Sequence, residues 1–224
     1  MKKFLISILL AFLLMPAVTV AQTHYNLVVA SGTETNAYVP TYAYYSYSFA
    51  QMIYHANEVG LDGTIDTIAF KVDNGSGSRN LTIHMAEVNH STFSSGSDAV
   101  AASNFQQVFS GSVNISSGWV TIALDSAFVY ADTADLVIAV LDGTGSWASG
   151  YPYYQGVSMT GTRSIYSYTD NSAYSLTTPP SSCNTTSFLP TIKLGISSYS
   201  DYCATPDAIS ISGIVDDEAT ITWH

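Results

Sequence analysis

Ile68, Phe70 and Val72 alternate with Thr67, Ala69 and Lys71 at the end of a segment, residues 39–72, that reads VPTYAYYSYSFAQMIYHANEVGLDGTIDTIAFKV. Side chains of a strand point to opposite faces in turn, so a two-residue apolar period marks a strand with one buried face. The period returns in Leu81, Ile83 and Met85, in Val120, Ile122 and Leu124, and in Ile192, Leu194 and Ile196. Residues 135–142, DLVIAVLD, are apolar in both phases, which predicts a central strand covered on both sides. Further strands are expected over 25–31, 105–113, 128–130, 151–154 and 164–169. Strands at intervals of roughly 8 to 15 residues, without an amphipathic helical pattern, predict an all-β, jelly-roll-like β-sandwich. We place it over residues 24–198.

Between the strands the expectations are local. Tyr42, Tyr44, Tyr45, Tyr47 and Phe49 form an aromatic ladder, which suits a sandwich wall better than a catalytic cleft. Gln51 to Tyr54 read as a compact segment, and residues 55–58 as a connector. The turn cluster 74–78 makes the strands 64–73 and 80–88 a hairpin or close neighbours. Residues 89–103 read as a polar surface loop with one helical turn and a single large apolar side chain, Phe93.

Both ends carry their own signals. Lys2 and Lys3, an apolar run from Phe4 to Met15, Pro16 and the small residues Thr19-Val20-Ala21 make residues 1–21 a secretory signal peptide. The mature chain is expected to start at Gln22, and no later apolar run suits a membrane span. Residues 199–205 read as a linker. Over 206–224, a proline followed by two short strands, the second ending in Trp223, is similar to the start of a fibronectin type III domain. Such a domain needs about 90–100 residues, so this one is expected to be incomplete, with further domains C-terminal to it.

Charge excludes some partners. Beyond the signal there are four basic residues (Lys71, Arg79, Arg163, Lys193) against 17 acidic ones, hence a formal charge of −13. Four scattered cations make no nucleic-acid footprint, and they disfavour anionic membranes.

The blocks 39–72, RNLTIHMAEVNHSTF (79–93), SGWVTIALDSAFVY (117–130) and DLVIAVLDGTGS (135–146) together resemble the cleaved-adhesin module of large exported proteins of Gram-negative anaerobes. YSYSFAQMIYHANEVG is the most specific block. The resemblance implies a secreted or cell-surface β-sandwich used in adhesion or as an accessory module. It transfers no catalytic residues.

Candidate sites follow from residue chemistry. Trp147, Tyr151, Tyr153 and Tyr154 are the ligand-binding candidates, since flat aromatic faces stack on the C–H face of a sugar. The structural alternative is that these rings cover the edge of the core. The loop 142–146, DGTGS, is either an oxygen-lined calcium or ligand loop or a tight turn. Cys183 and Cys203 form a disulfide candidate in an exported chain, with two separate thiols as the alternative. Motifs for zinc proteases, P-loops and nucleophile elbows are missing; Ser158 sits in GVSMT, without the elbow's second glycine. The expected function is therefore non-catalytic binding of an extracellular glycan or protein. The alternatives are a carbohydrate-binding accessory domain of a larger hydrolase or peptidase continuing past His224, and a hydrolase within 24–198.

Overall fold

A computed structural model describes residues 22–199, and Ile214 and Val215 by their backbone. The expected signal peptide, most of the linker and most of the fibronectin-like segment lie outside the described residues. The strands in chain order are β1 (Gln22–Val29), β2 (Glu34–Asn36), β3 (Tyr47–Tyr54), β4 (Gly63–Asn74), β5 (Gly77–Val88), β6 (Gln106–Ile115) and β7 (Gly118–Tyr130). They continue as β8 (Asp135–Asp142), β9 (Tyr153–Ser158), β10 (Ser164–Thr169), β11 (Asn184–Thr186), β12 (Phe188–Pro190), β13 (Ile192–Tyr199) and β14 (Ile214–Val215). One short helix, α1 (Ala56–Val59), follows β3.

The strands form two antiparallel sheets, a β-sandwich. The first runs β14-β1-β13-β4-β7, with β9 against the end of β4 and flanked by β2 and β12. The second runs β11-β10-β3-β8-β5-β6. Of the eight long strands, the first, eighth, third and sixth (β1, β13, β4, β7) make one sheet. The second, seventh, fourth and fifth (β3, β8, β5, β6) make the other. This is the jelly-roll order. Residues 143–191, between β8 and β13, are an excursion from that frame and carry the four short strands β9 to β12.

The core follows the alternation. From the first sheet, Leu27, Ile68, Phe70, Ile122 and Leu194 face inward to meet Met52, Ile83, Met85 and Ile138 of the second. Each such side chain contributes about 1.5–3 kcal/mol by leaving water. The second sheet also buries its outer face. Phe49, Ile53, Val137, Ala139 and Leu141 lie under Phe93, Val100, Leu176 and Cys183 of the two loops folded over it. The two-sided cover expected for DLVIAVLD is present on β8.

Several expectations need correction. Gln51 to Tyr54 are not a separate compact segment; they are half of β3, buried on both faces. Ala50, Met52 and Tyr54 point to the inner core, Phe49 and Ile53 to the outer one. Gln51 is buried among the latter because its amide bonds the Val100 backbone twice, Nε2 donating to the carbonyl (3.1 Å) and Oε1 accepting from the N–H (2.8 Å). The segment 89–103 is not merely a surface loop: it lies over the second sheet and buries Phe93 and Val100. The helical turn is there, as a 3₁₀ turn at Ala102–Asn104. β4 and β5 do not pair. The turn between them carries the chain from one sheet to the other, so each strand finds other partners. The pieces 118–125 and 128–130 are one strand, β7, whose register slips opposite Ile65 and Thr67.

Gly156 shows how tightly the excursion packs on itself, β9 against β12. A Cβ there would overlap the Leu189 carbonyl and come 2.6 Å from Phe188 Cζ. Gly156→Ala is expected to cost about 1–3 kcal/mol, the usual range for overpacking, measurable by urea denaturation. An unchanged midpoint would show that β12 moves aside freely.

Candidate functional site

Tyrosine is an apolar plate with a polar tip, so a cluster of tyrosines suits a surface that is packed beneath and wet above. Eight rings form such a cluster. Tyr38, Tyr42, Tyr44 and Tyr45 come from the loop between β2 and β3. Tyr151 and Tyr153 come from the start of the excursion, and Tyr166 and Tyr168 from one face of β10. Tyr38 stacks on Tyr166 (5.0 Å, 14°), and Tyr151 on Tyr153 (5.6 Å, 24°). Tyr42 sits at the centre, with the rings of Tyr38, Tyr44, Tyr45, Tyr151 and Tyr168 all within 6.0 Å. Tyr44 is 50% exposed, Tyr38 38% and Tyr153 36%, so several rings present area to solvent.

The loops that carry the rings are held by short polar contacts. Tyr42 N–H donates to Ser48 Oγ (3.1 Å) and Tyr38 N–H to Asn36 Oδ1 (2.7 Å). Ser46 donates to Asp170 Oδ1 from both its N–H and its hydroxyl, each at 2.9 Å. Beneath them lies Arg79, fully buried. Its Nε donates to Asp142 Oδ2 (2.6 Å), Nη1 to the Ser146 carbonyl (2.6 Å) and Nη2 to the Tyr45 carbonyl (3.1 Å). One guanidinium thus ties the tyrosine loop and the excursion to β8. The Ala148 N–H donates to the Ala43 carbonyl (2.8 Å) and the Gly145 N–H to the Ser46 carbonyl (2.9 Å). Trp147 lies between these anchors and is 63% exposed.

The Asp170 carboxylate stands beside the face, held by Ser46, and its charge adds to the raising of Tyr45. Burial and the neighbouring phenols push the Tyr42 hydroxyl up to about 12. Tyr45 and Tyr166 are also raised, each by burial first. Tyr151 is raised first by the neighbouring Tyr153 hydroxyl and then by burial. These hydroxyls stay protonated at neutral pH and serve as both donors and acceptors.

Of the four sequence candidates, Tyr151 and Tyr153 belong to this face and Trp147 stands exposed on the adjoining loop. Tyr154 does not belong. It is 2% exposed, points into the sandwich, and its hydroxyl pairs with Thr41 Oγ1 at 2.7 Å. Neighbouring residues of a strand face opposite ways, so Tyr153 and Tyr154 could not share a surface. Six of the eight rings, Tyr38, Tyr42, Tyr44, Tyr45, Tyr166 and Tyr168, were missed as ligand candidates; Tyr42, Tyr44 and Tyr45, read as part of a sandwich wall, lie instead in the loop between β2 and β3. The two-residue spacing of Tyr166 and Tyr168 within an expected strand was the signal that could have found that pair.

Asp142, Ser158 and the glutamates of the domain have structural partners, apart from Glu87 Oε1, which is buried without one. The Asp142 carboxylate is taken up by Arg79 on one oxygen and by the Thr144 N–H (3.0 Å) and hydroxyl (2.6 Å) on the other. Both oxygens of Asp142 are thus engaged within the protein. Ser158 donates to Glu34 Oε2 (2.6 Å), Glu58 pairs with Arg163, and Glu87 accepts the Ala131 N–H (3.0 Å). Cys183 is buried in the outer core, and burial pushes its thiol up to about 11. Cys203 lies outside the described residues. Among the described residues no helix is long and apolar enough to cross a membrane.

No protein-family model and no curated protein matches the chain. Among solved structures it is similar to the cysteine protease and lectin-like domains of Cwp84, a surface layer associated protein of Clostridium difficile. Identity there is 16% and the TM-score 0.37, covering 76% of this chain and 36% of that one. A second similar structure, the clostridial cysteine protease Cwp84 after propeptide cleavage, shows 15% identity and a TM-score of 0.40, covering 80% and 40%. The chain thus spans less than half the length of either.

Proposed function

We propose that this protein is a non-catalytic binding module, secreted or displayed at the cell surface, that engages an extracellular glycan or protein through its tyrosine face. One observation carries the reading: eight mutually packed tyrosines, several with open rings, held in place by a buried arginine and a set of short hydrogen bonds. Rings ordered before binding lose little freedom on binding, so more of the contact energy appears as affinity. Tyrosine and tryptophan also offer large contact areas with few rotatable bonds. The hydroxyl-rich character of the rings fits a neutral saccharide or a polar protein surface. The block resemblance to cleaved-adhesin modules supports a role outside the cell.

Tyr44→Ala and Trp147→Ala are each expected to weaken binding about tenfold or more, the loss of one open aromatic anchor. Glycan arrays and surface plasmon resonance against extracellular matrix proteins read this directly. Both changes lie at exposed positions, so the melting temperature should hold. Binding that survives both substitutions, or turnover of a glycan or peptide by the chain itself, would overturn the reading.

A further inference from the structure

The layer covering the outer face of the second sheet reaches one end of β5 and leaves the other end open. On β8 the outward residues Val137, Ala139 and Leu141 lie in the outer core. One strand further, Ala86 and Val88 still lie under the layer, while the outward residues nearer the start of the strand are polar. β5 presents Thr82 and His84, and His84 faces Gln107 across the pair with β6. These three, with Leu141, Tyr174 and Leu176, line a groove of about 350 Å³. That lies within the ~300–1,000 Å³ of small-molecule sites.

Its chemistry is specific in two ways. First, the lining contains no carboxylate, lysine or arginine, in a chain whose formal charge is strongly negative. His84 is held below the ordinary histidine value by burial, so its imidazole is neutral at neutral pH. A charged ligand would lose water there and gain no counter-charge. Second, His84 is poorly satisfied. Its ring stands edge-on to Phe105 at 6.3 Å, and Nδ1 is sealed from solvent without a hydrogen-bond partner. A buried polar atom without a partner costs stability, and leucine would avoid that cost. With Nδ1 closed off, Nε2 is the nitrogen left to meet a ligand. The opposite wall is fixed, since the Tyr174 hydroxyl pairs with Ser167 Oγ at 3.0 Å and its ring packs edge-on to Phe49.

We propose that this groove is a second binding site, separate from the tyrosine face, for a small neutral polyhydroxylated molecule of hexose size. The half-buried Tyr174 ring, backed by the buried Leu141 and Leu176, meets its C–H surface, and Thr82, His84 Nε2 and Gln107 meet its hydroxyls. The proposal does not depend on the tyrosine face having a ligand.

The test is a ¹H–¹³C NMR titration of the His84 imidazole in the full chain. The probes are glucose, galactose, mannose and N-acetylglucosamine, with glucosamine and glucuronate as charged comparators. A saturable His84 shift with at least one neutral sugar is expected, and none with the charged pair. Followed by isothermal titration calorimetry with the sugar that shifts His84 in the parent, His84→Leu should weaken the affinity about tenfold, the equivalent of one lost hydrogen bond, while melting no lower than the parent. Tyr44→Ala should leave the titration unchanged. If His84→Leu does not fold, Gln107→Ala, at an exposed position, provides the same comparison. Absence of saturation with all four neutral sugars, preference for a charged one, or undiminished affinity in a folded groove variant overturns the proposal.

Discussion

Arg79→Met is expected to lower stability by about 3–5 kcal/mol, the range for removing one member of a buried ion pair. For a chain of this size that is a fall of roughly 10 °C in Tm. Arg79 and Asp142 have side-chain exposures of 2% and 0%. Methionine fills much the same volume but leaves the Asp142 Oδ2 charge inside the protein without a partner. It also removes the donor to the Tyr45 and Ser146 carbonyls, which frees the two loops that carry the tyrosine face. The variant should therefore lose ligand binding as well as stability. Asp142→Leu made alongside it removes the stranded charge and should recover part of the stability. Recovery stays incomplete because Thr144 loses its acceptor. A double-mutant cycle by urea denaturation measures both effects. A single-variant loss under about 1 kcal/mol would show that water reaches Asp142 after all, contrary to the burial argument.

The second large effect lies at the other buried arginine. Arg163 donates to both oxygens of Glu58, at 3.0 and 2.7 Å, and twice to the Ile53 carbonyl. Glu58 in turn accepts the His55 N–H at 2.8 Å and closes the capping box of α1. The Glu58 side chain is 21% exposed, so water reaches part of the charge. Arg163→Met should therefore fall at the low end of the buried-pair range, about 3 kcal/mol. The pH dependence gives an independent check. Burial works to raise the Glu58 carboxyl, but the Arg163 hydrogen bonds, the His55 amide and the nearby positive charge outweigh it and leave it below the ordinary glutamate value. A carboxyl that is more acidic in the folded state adds stability above its unfolded value of about 4.3. That stability is lost as pH falls through the lower folded value. In Arg163→Met the arginine's share of the opposing pull is gone, so burial is countered by the His55 side alone and the carboxyl rises relative to the parent. The gap between parent and variant should thus be widest near neutrality and shrink as pH falls below about 4. Denaturation curves across that range decide it, and a gap that stays constant would remove the ion pair as its cause.

The frame was legible because burial and alternation carry the same information. β4, β5, β8 and β13 each show their inward faces in the residue order, and β8 shows both of its faces. The sheet to which each strand belongs was not legible, because a Gly/Ser turn serves a hairpin and a sheet-to-sheet crossing equally well. The buried arginines were hidden for another reason. Arg79 and Arg163 read as two of four scattered cations, while their acceptors are largely backbone carbonyls brought near only by folding. The phase of the YPYY run was also unreadable, since tyrosine is as suitable inside a sandwich as outside it. That ambiguity put Tyr154 in the wrong set.

The excursion between β8 and β13 leaves the frame from one sheet and returns to the other. Four of the eight clustered rings, and Trp147, lie on it, while the inner core is supplied mostly by the frame strands. The proposed binding face and most of the inner core are therefore encoded in largely different parts of the chain. A library randomised at Tyr38, Tyr44, Trp147 and Tyr153 would vary specificity on a scaffold whose folding instructions lie elsewhere.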